Sequence, residues 1–185
     1  ATSYPKNIEG EYWVAKKIFT FGDYWYERYN SDSDKVSIGN PVFDIYKKKF
    51  NFEKDKRNSV LCISVNSVNF AKLIFKASKM DHSIKYYFKL RDSEFNNWKQ
   101  NYPFIYNTEN FNIIDNNDRH LYSYIQKCKY VVTTISTVIY EALSQATPVI
   151  VVKDEFFLFV KRLEDIGLIK VANSEKDIIQ LIKVD

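Results

Sequence analysis

The chain has 185 residues, with 27 Lys and Arg against 23 Asp and Glu, a formal charge of +4. That size and a 45% hydrophobic content give one packed domain with at most an appendage, and a charge this small lacks the strongly basic balance of a nucleic-acid binder. Only four glycines are present, at Gly10, Gly22, Gly39 and Gly167, so neither a Walker A loop nor a dinucleotide fingerprint can be built, because both need clustered glycines to let backbone amides reach phosphates.

In chain order, the first 34 residues carry a strand-like stretch at Lys17–Phe21, a helix-like stretch at Asp23–Tyr29 and a polar connector at Asn30–Asp34. This βα piece cannot bury itself, so it either packs on the main sheet or, as the preferred reading, is the tail of a preceding domain, with residues 35–185 forming the main domain. The absence of a starting Met agrees with an excised piece. From Lys35 onward, short β-branched runs alternate with amphipathic ones, which predicts βαβ units and a doubly wound, mainly parallel α/β sheet. The expected strands are Val36–Ile38, Val60–Val65, Ile84–Leu90, Phe111–Ile114, Tyr130–Thr133, Val149–Val152 and Ile169–Val171, most of them continuously apolar as buried parallel strands are. Between them, Val68–Lys79 and the stretch around Leu121, Tyr124, Ile125 and Cys128 repeat at helical spacing. Asp118, Asp154 and Ser174 are the expected N-caps, and Gly167 marks a helix end.

Several residue types point away from chemistry. His82 and His120 sit in polar stretches without metal-ligand spacing and read as solvated, and Cys62 and Cys128 lie in apolar runs without a CxxC partner and read as buried thiols. No metal and no cofactor are expected. The aromatic residues, 17% of the chain, spread over every element and form no stacking platform, so no nucleic-acid partner is expected. No apolar run reaches the length of a membrane span, and the expected location is cytoplasmic, compatible with peripheral contact at the inner face of a membrane.

In an open parallel sheet, ligands bind beyond the carboxyl ends of the strands. The residues there form a polar crescent: Ser64 and Asn66, then Lys89, Arg91 and Asp92, Asp115 and Asn116, Thr133, Thr134, Ser136 and Thr137, and Lys153, Asp154 and Glu155. The strongest unit runs from Tyr130 to Val152, strand, hydroxyl-rich turn, helix, turn, strand. Ser136 and Thr137 open its helix, where unpaired amides favour an anion, and Glu141 lies on the face that Thr137 begins, within reach of ribose hydroxyls. Two readings stay open: a phosphate and ribose site, or an N-cap with a surface charge. Lys89 and Arg91 likewise read either as phosphate donors or as partners of Asp92 and Glu94. Asp44 reads as a turn or helix-start residue.

Three stretches carry a resemblance. KVSIGNPVFDIY (35–46), IKYYFKLRDSEFNNW (84–98) and STVIYEAL (136–143) followed by TPVIVV resemble, in that order, the C-terminal half of GT-B-fold glycosyltransferases. The group includes bacterial capsule and surface-polysaccharide transferases, CDP-glycerol glycerophosphotransferases and polysialyltransferase-like enzymes. Leu90, Arg91 and Asp92 stand where such enzymes often have a basic residue followed by His-Pro.

The resemblance implies a Rossmann-like half of a GT-B fold whose donor is a nucleotide-activated sugar or polyol. Ser136 and Thr137, with Lys89 or Arg91, would hold the phosphates, Glu141 the ribose, and Asn66, Asp115 or Asn116 the base or sugar. The saccharide or lipid-linked acceptor and the catalytic base would come from a missing N-terminal domain, so this piece would bind nucleotide with little catalysis. A UDP-GlcNAc 2-epimerase-like isomerase and a non-catalytic α/β interaction module are the alternatives; a phosphoacceptor receiver domain is disfavoured because SVLCISVNS brings no Asp to the first strand end.

Overall fold

A computed structural model describes residues 16–22, 33–49 and 59–184. The chain divides into two compact units, residues 1–49 and 50–185. In the first, β1 (Lys17–Thr20) pairs in parallel with β2 (Asp34–Ser37), and α1 (Pro41–Lys49) follows. The expectation that Val36–Ile38 opens the main sheet is therefore corrected. That short strand pairs with the amino-terminal segment, and the division falls after Lys49, not after Asp34. The helix expected at Asp23–Tyr29 lies outside the described residues.

The second unit holds β3 (Ser59–Ile63), α2 (Val68–Met80), β4 (Lys85–Lys89), α3 (Trp98–Asn101), β5 (Phe111–Ile114), α4 (Leu121–Lys127), β6 (Tyr130–Thr133), α5 (Val138–Ser144), β7 (Val149–Val152), α6 (Lys161–Asp165), β8 (Ile169–Ala172) and α7 (Glu175–Lys183). All six strands are parallel, in the order β5-β4-β3-β6-β7-β8. This is a Rossmann-like doubly wound sheet. The order reverses between β3 and β6, so the first three strands run outward to one side and the last three to the other.

Burial follows from the strand pleat. Every residue of β3, β6 and β7 is buried, while β5 and β8, at the two edges, are buried at their ends and half-buried at their two middle residues. Val60 and Cys62 of β3 face the layer made by Phe70, Ile74 and Ala77 of α2 with Ile178 and Ile182 of α7. Leu61 and Ile63 face the opposite layer, with Ile125 of α4 and Val138, Ile139 and Ala142 of α5. Each fully buried aliphatic side chain contributes on the order of 1.5–3 kcal/mol. Cys62 and Cys128 are both buried, and burial pushes the Cys62 thiol up.

Helix ends obey local rules with one departure from expectation. Ser67 caps α2, its hydroxyl accepting from the Phe70 amide at 3.3 Å, and Ser174 caps α7 through Asp177 at 3.2 Å. At α4 the cap is His120, not Asp118: its Nδ1 accepts from the Tyr122 amide at 3.3 Å, because the chain turns into the helix two residues later than the acid. Asp154 caps a turn and a short 3-10 segment, accepting from the Phe156 amide at 3.0 Å, before α6 begins at Lys161. Gly167 ends α6 in the left-handed region at φ +72°, with its amide on Glu164 and the Leu168 amide on Leu163, both at 2.8 Å. Among the described residues no helix is long and apolar enough to cross a membrane.

Candidate functional site

The reversal of strand order leaves a crevice where β3 and β6 end, since the chain leaves β3 toward α2 on one face and β6 toward α5 on the other. Thr133, the last residue of β6, donates its hydroxyl to the Ile63 carbonyl of β3 at 3.4 Å and ties the two ends together. Above them opens a cavity of about 670 Å³. Its walls include Val65, Ser67 and Phe70 from the β3–α2 side, Arg91 beyond β4, Thr134 and Ile135 beyond β6, and Lys153, Asp154 and Phe156 beyond β7. The turn out of β3 has no glycine; Asn66 takes its left-handed position at φ 59°, which Asn tolerates better than most side chains.

Next to Ser64 and Arg91 lies a buried carboxylate, Glu94, which the sequence offered only as a surface partner of Lys89 or Arg91. Glu94 is 1% exposed, and its Oε1 accepts from the Ser64 hydroxyl at 2.8 Å and from the Tyr102 hydroxyl. Its Oε2 accepts from the Arg91 amide at 2.7 Å. Burial and the Glu94 bond push the Tyr102 phenol up to about 12. Ser64 uses every polar group it has: its amide donates to the Lys89 carbonyl at 2.9 Å, its hydroxyl accepts from the Asn66 amide at 3.3 Å, and its carbonyl accepts from Arg91 Nε at 3.2 Å. The Arg91 guanidinium is thus held at one nitrogen on the end of β3, at the cavity wall.

The expected site residues separate into three groups. Arg91 lines the cavity, and Asn66 shapes the turn beside it. Lys89, Asp115 and Asn116 gather elsewhere. Lys89, 7% exposed, donates from Nζ to the carbonyls of Leu90 at 3.2 Å and Asn116 at 2.9 Å and to Asn117 Oδ1 at 3.0 Å, and stands over the Phe95 ring. Burial pulls its ammonium down, offset in part by Asp92, Asp115 and Glu94. Asp115 accepts from Trp98 Nε1 at 3.0 Å, and Asn116 Oδ1 accepts from the Asp118 amide at 3.2 Å. Lys89 ends β4, next to β3, but its ammonium turns to the exit of β5 at the sheet edge, where Asp115 and Asn116 lie two strands and so about 10 Å from β3.

The third group starts α5. The Ser136 hydroxyl accepts from the Val138 amide at 3.3 Å, Thr137 is exposed, and half-buried Glu141 is bonded by the Tyr122 hydroxyl of α4. Burial pushes the Glu141 carboxyl up, and the Tyr122 bond pulls it the other way. Thr134 and Ile135 line the cavity while Ser136 and Thr137 lead into α5, so one four-residue loop joins the cavity wall to this group. Lys153 also stands at the cavity wall, its Nζ 5.5 Å from the Phe157 ring centroid.

No family model and no curated protein matches the chain. Among solved structures, UDP-GlcNAc 2-epimerase from Neisseria meningitidis, bound to UDP-GlcNAc, is similar at 15% identity and a TM-score of 0.50, over 77% of this chain and 40% of that one. The fold is shared. At that identity the likeness establishes a Rossmann-like domain of the GT-B type and nothing finer. The KpsC protein of Thermosulfurimonas dismutans is similar in its beta Kdo 2,4 transferase, at 14% identity and a TM-score of 0.42 over 76% of this chain and 52% of that one. Its beta Kdo 2,7 transferase is similar at 14% identity and a TM-score of 0.34, over 62% and 42%. The chain spans about half or less of the length of each of these structures.

Proposed function

We propose that residues 50–185 form the donor-nucleotide-binding half of a glycosyltransferase or glycerophosphotransferase that builds surface polysaccharide. The observation that carries this reading is the cavity at the β3/β6 reversal, with a fixed arginine on one wall and Thr134 and Ile135, which lead into Ser136 and Thr137, on another. In that reading the donor's phosphates lie between Arg91 and the loop, whose Ser136 and Thr137 add hydroxyls, and Glu141 accepts from the ribose. Arg91 offsets the negative charge that grows on the departing nucleotide as the sugar or polyol bond breaks. Arg91, not Lys89, takes this role because the Lys89 ammonium is engaged by the β5 exit loop. The saccharide or lipid-linked acceptor would be presented by a further domain.

Ligand-observed NMR of the full chain against UDP, CDP, CMP and GDP tests the reading, repeated on folded Arg91→Ala, Ser136→Ala and Glu141→Ala variants. Selective binding of one nucleotide, weakened by all three substitutions, is expected. Absence of binding by all four at millimolar ligand overturns it in favour of a non-catalytic α/β module.

A further inference from the structure

We infer that Glu94 is the positioning residue of the cavity's arginine: through Ser64, Tyr102 and the Arg91 amide it fixes the guanidinium where an anionic ligand would meet it. This rests on the reading of the cavity as a phosphate-binding site. Arg91 follows β4 by two residues, in a turn where a long, exposed side chain has many rotamers to choose from, and an unheld arginine loses that freedom on binding. The structure removes that freedom beforehand at two points. The Arg91 amide is bound to Glu94 Oε2, which sets the direction in which the side chain leaves the backbone. The Ser64 carbonyl holds Nε, and Ser64 is held in turn by Glu94 Oε1 through its hydroxyl.

Both restraints therefore meet on one carboxyl group, and Tyr102, 1% exposed, anchors that group from the far end of α3. The arrangement leaves the terminal guanidinium nitrogens without a hydrogen bond among the described residues, so the fork that suits a phosphate is open while the nitrogen nearest the stem is occupied. Glu94 touches no ligand in this arrangement. It acts through Arg91.

The test reads Arg91 directly. In the 15N-labelled full chain, the Arg91 Nε–H resonance is expected to be resolved and protected from exchange with water. Protection falls at least about tenfold in Glu94→Gln and less in Tyr102→Phe, which keeps the other two bonds to Glu94 intact, while Arg162 is unchanged. Unchanged Arg91 protection in either folded variant overturns the proposal, and Tyr102→Phe carries the test if Glu94→Gln does not fold.

Titration with inorganic pyrophosphate and the four nucleotides separates this role from the site reading. Tyr102→Phe is expected to weaken binding when Arg91 is present and to have no further effect in an Arg91→Ala background. Equal losses in both backgrounds overturn the positioning role. No binding by the unmodified chain, together with loss of Arg91 protection in the variants, leaves the positioning of Arg91 supported and defeats the phosphate-site reading alone.

Discussion

The exits of β4 and β6 lie two strands apart on the same sheet, and they are built in opposite ways. Beyond β4, a buried glutamate collects two hydroxyls and an amide, a serine uses all its polar groups, and an arginine is tied down at its inner nitrogen. Beyond β6, Ser136 makes one local turn bond, Thr137 is exposed, and α5 starts with no side-chain cap. One exit holds a cation rigidly and the other presents hydroxyls and amides loosely. A site made from both would bind its ligand's charge against a fixed partner and let the hydroxyl loop adjust around it.

The strongest way to break this contrast is Glu94→Ala. It strands two hydroxyls and an amide in a buried place, and the expected loss is about 3 kcal/mol of stability in urea denaturation, against less than about 1 kcal/mol for Ser136→Ala. A loss below that of Ser136→Ala would show the β4 exit to be no more tightly built than the β6 exit. Next comes Lys89→Met, which removes the ammonium from the β5 exit loop. A drop of about 1–2 kcal/mol in stability is expected, with nucleotide affinity unchanged in the same preparation. A folded Lys89→Met chain that loses affinity would return Lys89 to the phosphate site.

Two further substitutions sharpen the looser side. Helix α5 ends as α6 does, with the Ala146 amide on Leu143 at 3.0 Å and the Thr147 amide on Ala142 at 2.9 Å, but the left-handed residue is Ala146 at φ 52° where α6 has Gly167. Ala146→Gly should raise stability by about 0.5–1 kcal/mol, read as an increase in Tm. Last, burial raises the folded-state pKa of Glu141, so its charge opposes folding once pH climbs above the ordinary carboxylate range. Stability from this group is therefore present in acid and lost as pH rises through the raised value. Glu141→Gln should match the parent near pH 4 and gain a few tenths of a kcal/mol on it by neutral pH, followed by denaturation across that range.

Much of the sheet was legible in advance because its central strands are short, continuously apolar runs, and six of the seven expected strands from Val36 on belong to it. The exception, Val36–Ile38, has the same β-branched signature, and nothing within three residues says which strand it will pair with. The site was less legible for a related reason. Reading residues after each strand put Asp115 and Asn116 beside Ser64 and Asn66 in one crescent, whereas strand order puts β5 at the edge and only β3 and β6 at the reversal. Glu94 left a local trace, three residues beyond Arg91 in the spacing that lets a Glu reach back to an amide. Tyr102 left none, since its bond depends on how α3 returns to the sheet.

The same strand order imposes a sequence of events on the folding chain. Thr133 and Ile63, joined at the reversal, stand 70 positions apart, so the flank of β3 that β6 takes waits for the most distant partner, whereas β4, on the other flank, is near in sequence. Closing a loop of that length makes this the slow step of assembly. Until it happens, a strand with four apolar residues in succession, Val60 to Ile63, presents an open hydrogen-bonding edge to any other chain. Aggregation during refolding should therefore rise steeply with protein concentration, and chains stopped before Tyr130 should aggregate more than the full chain.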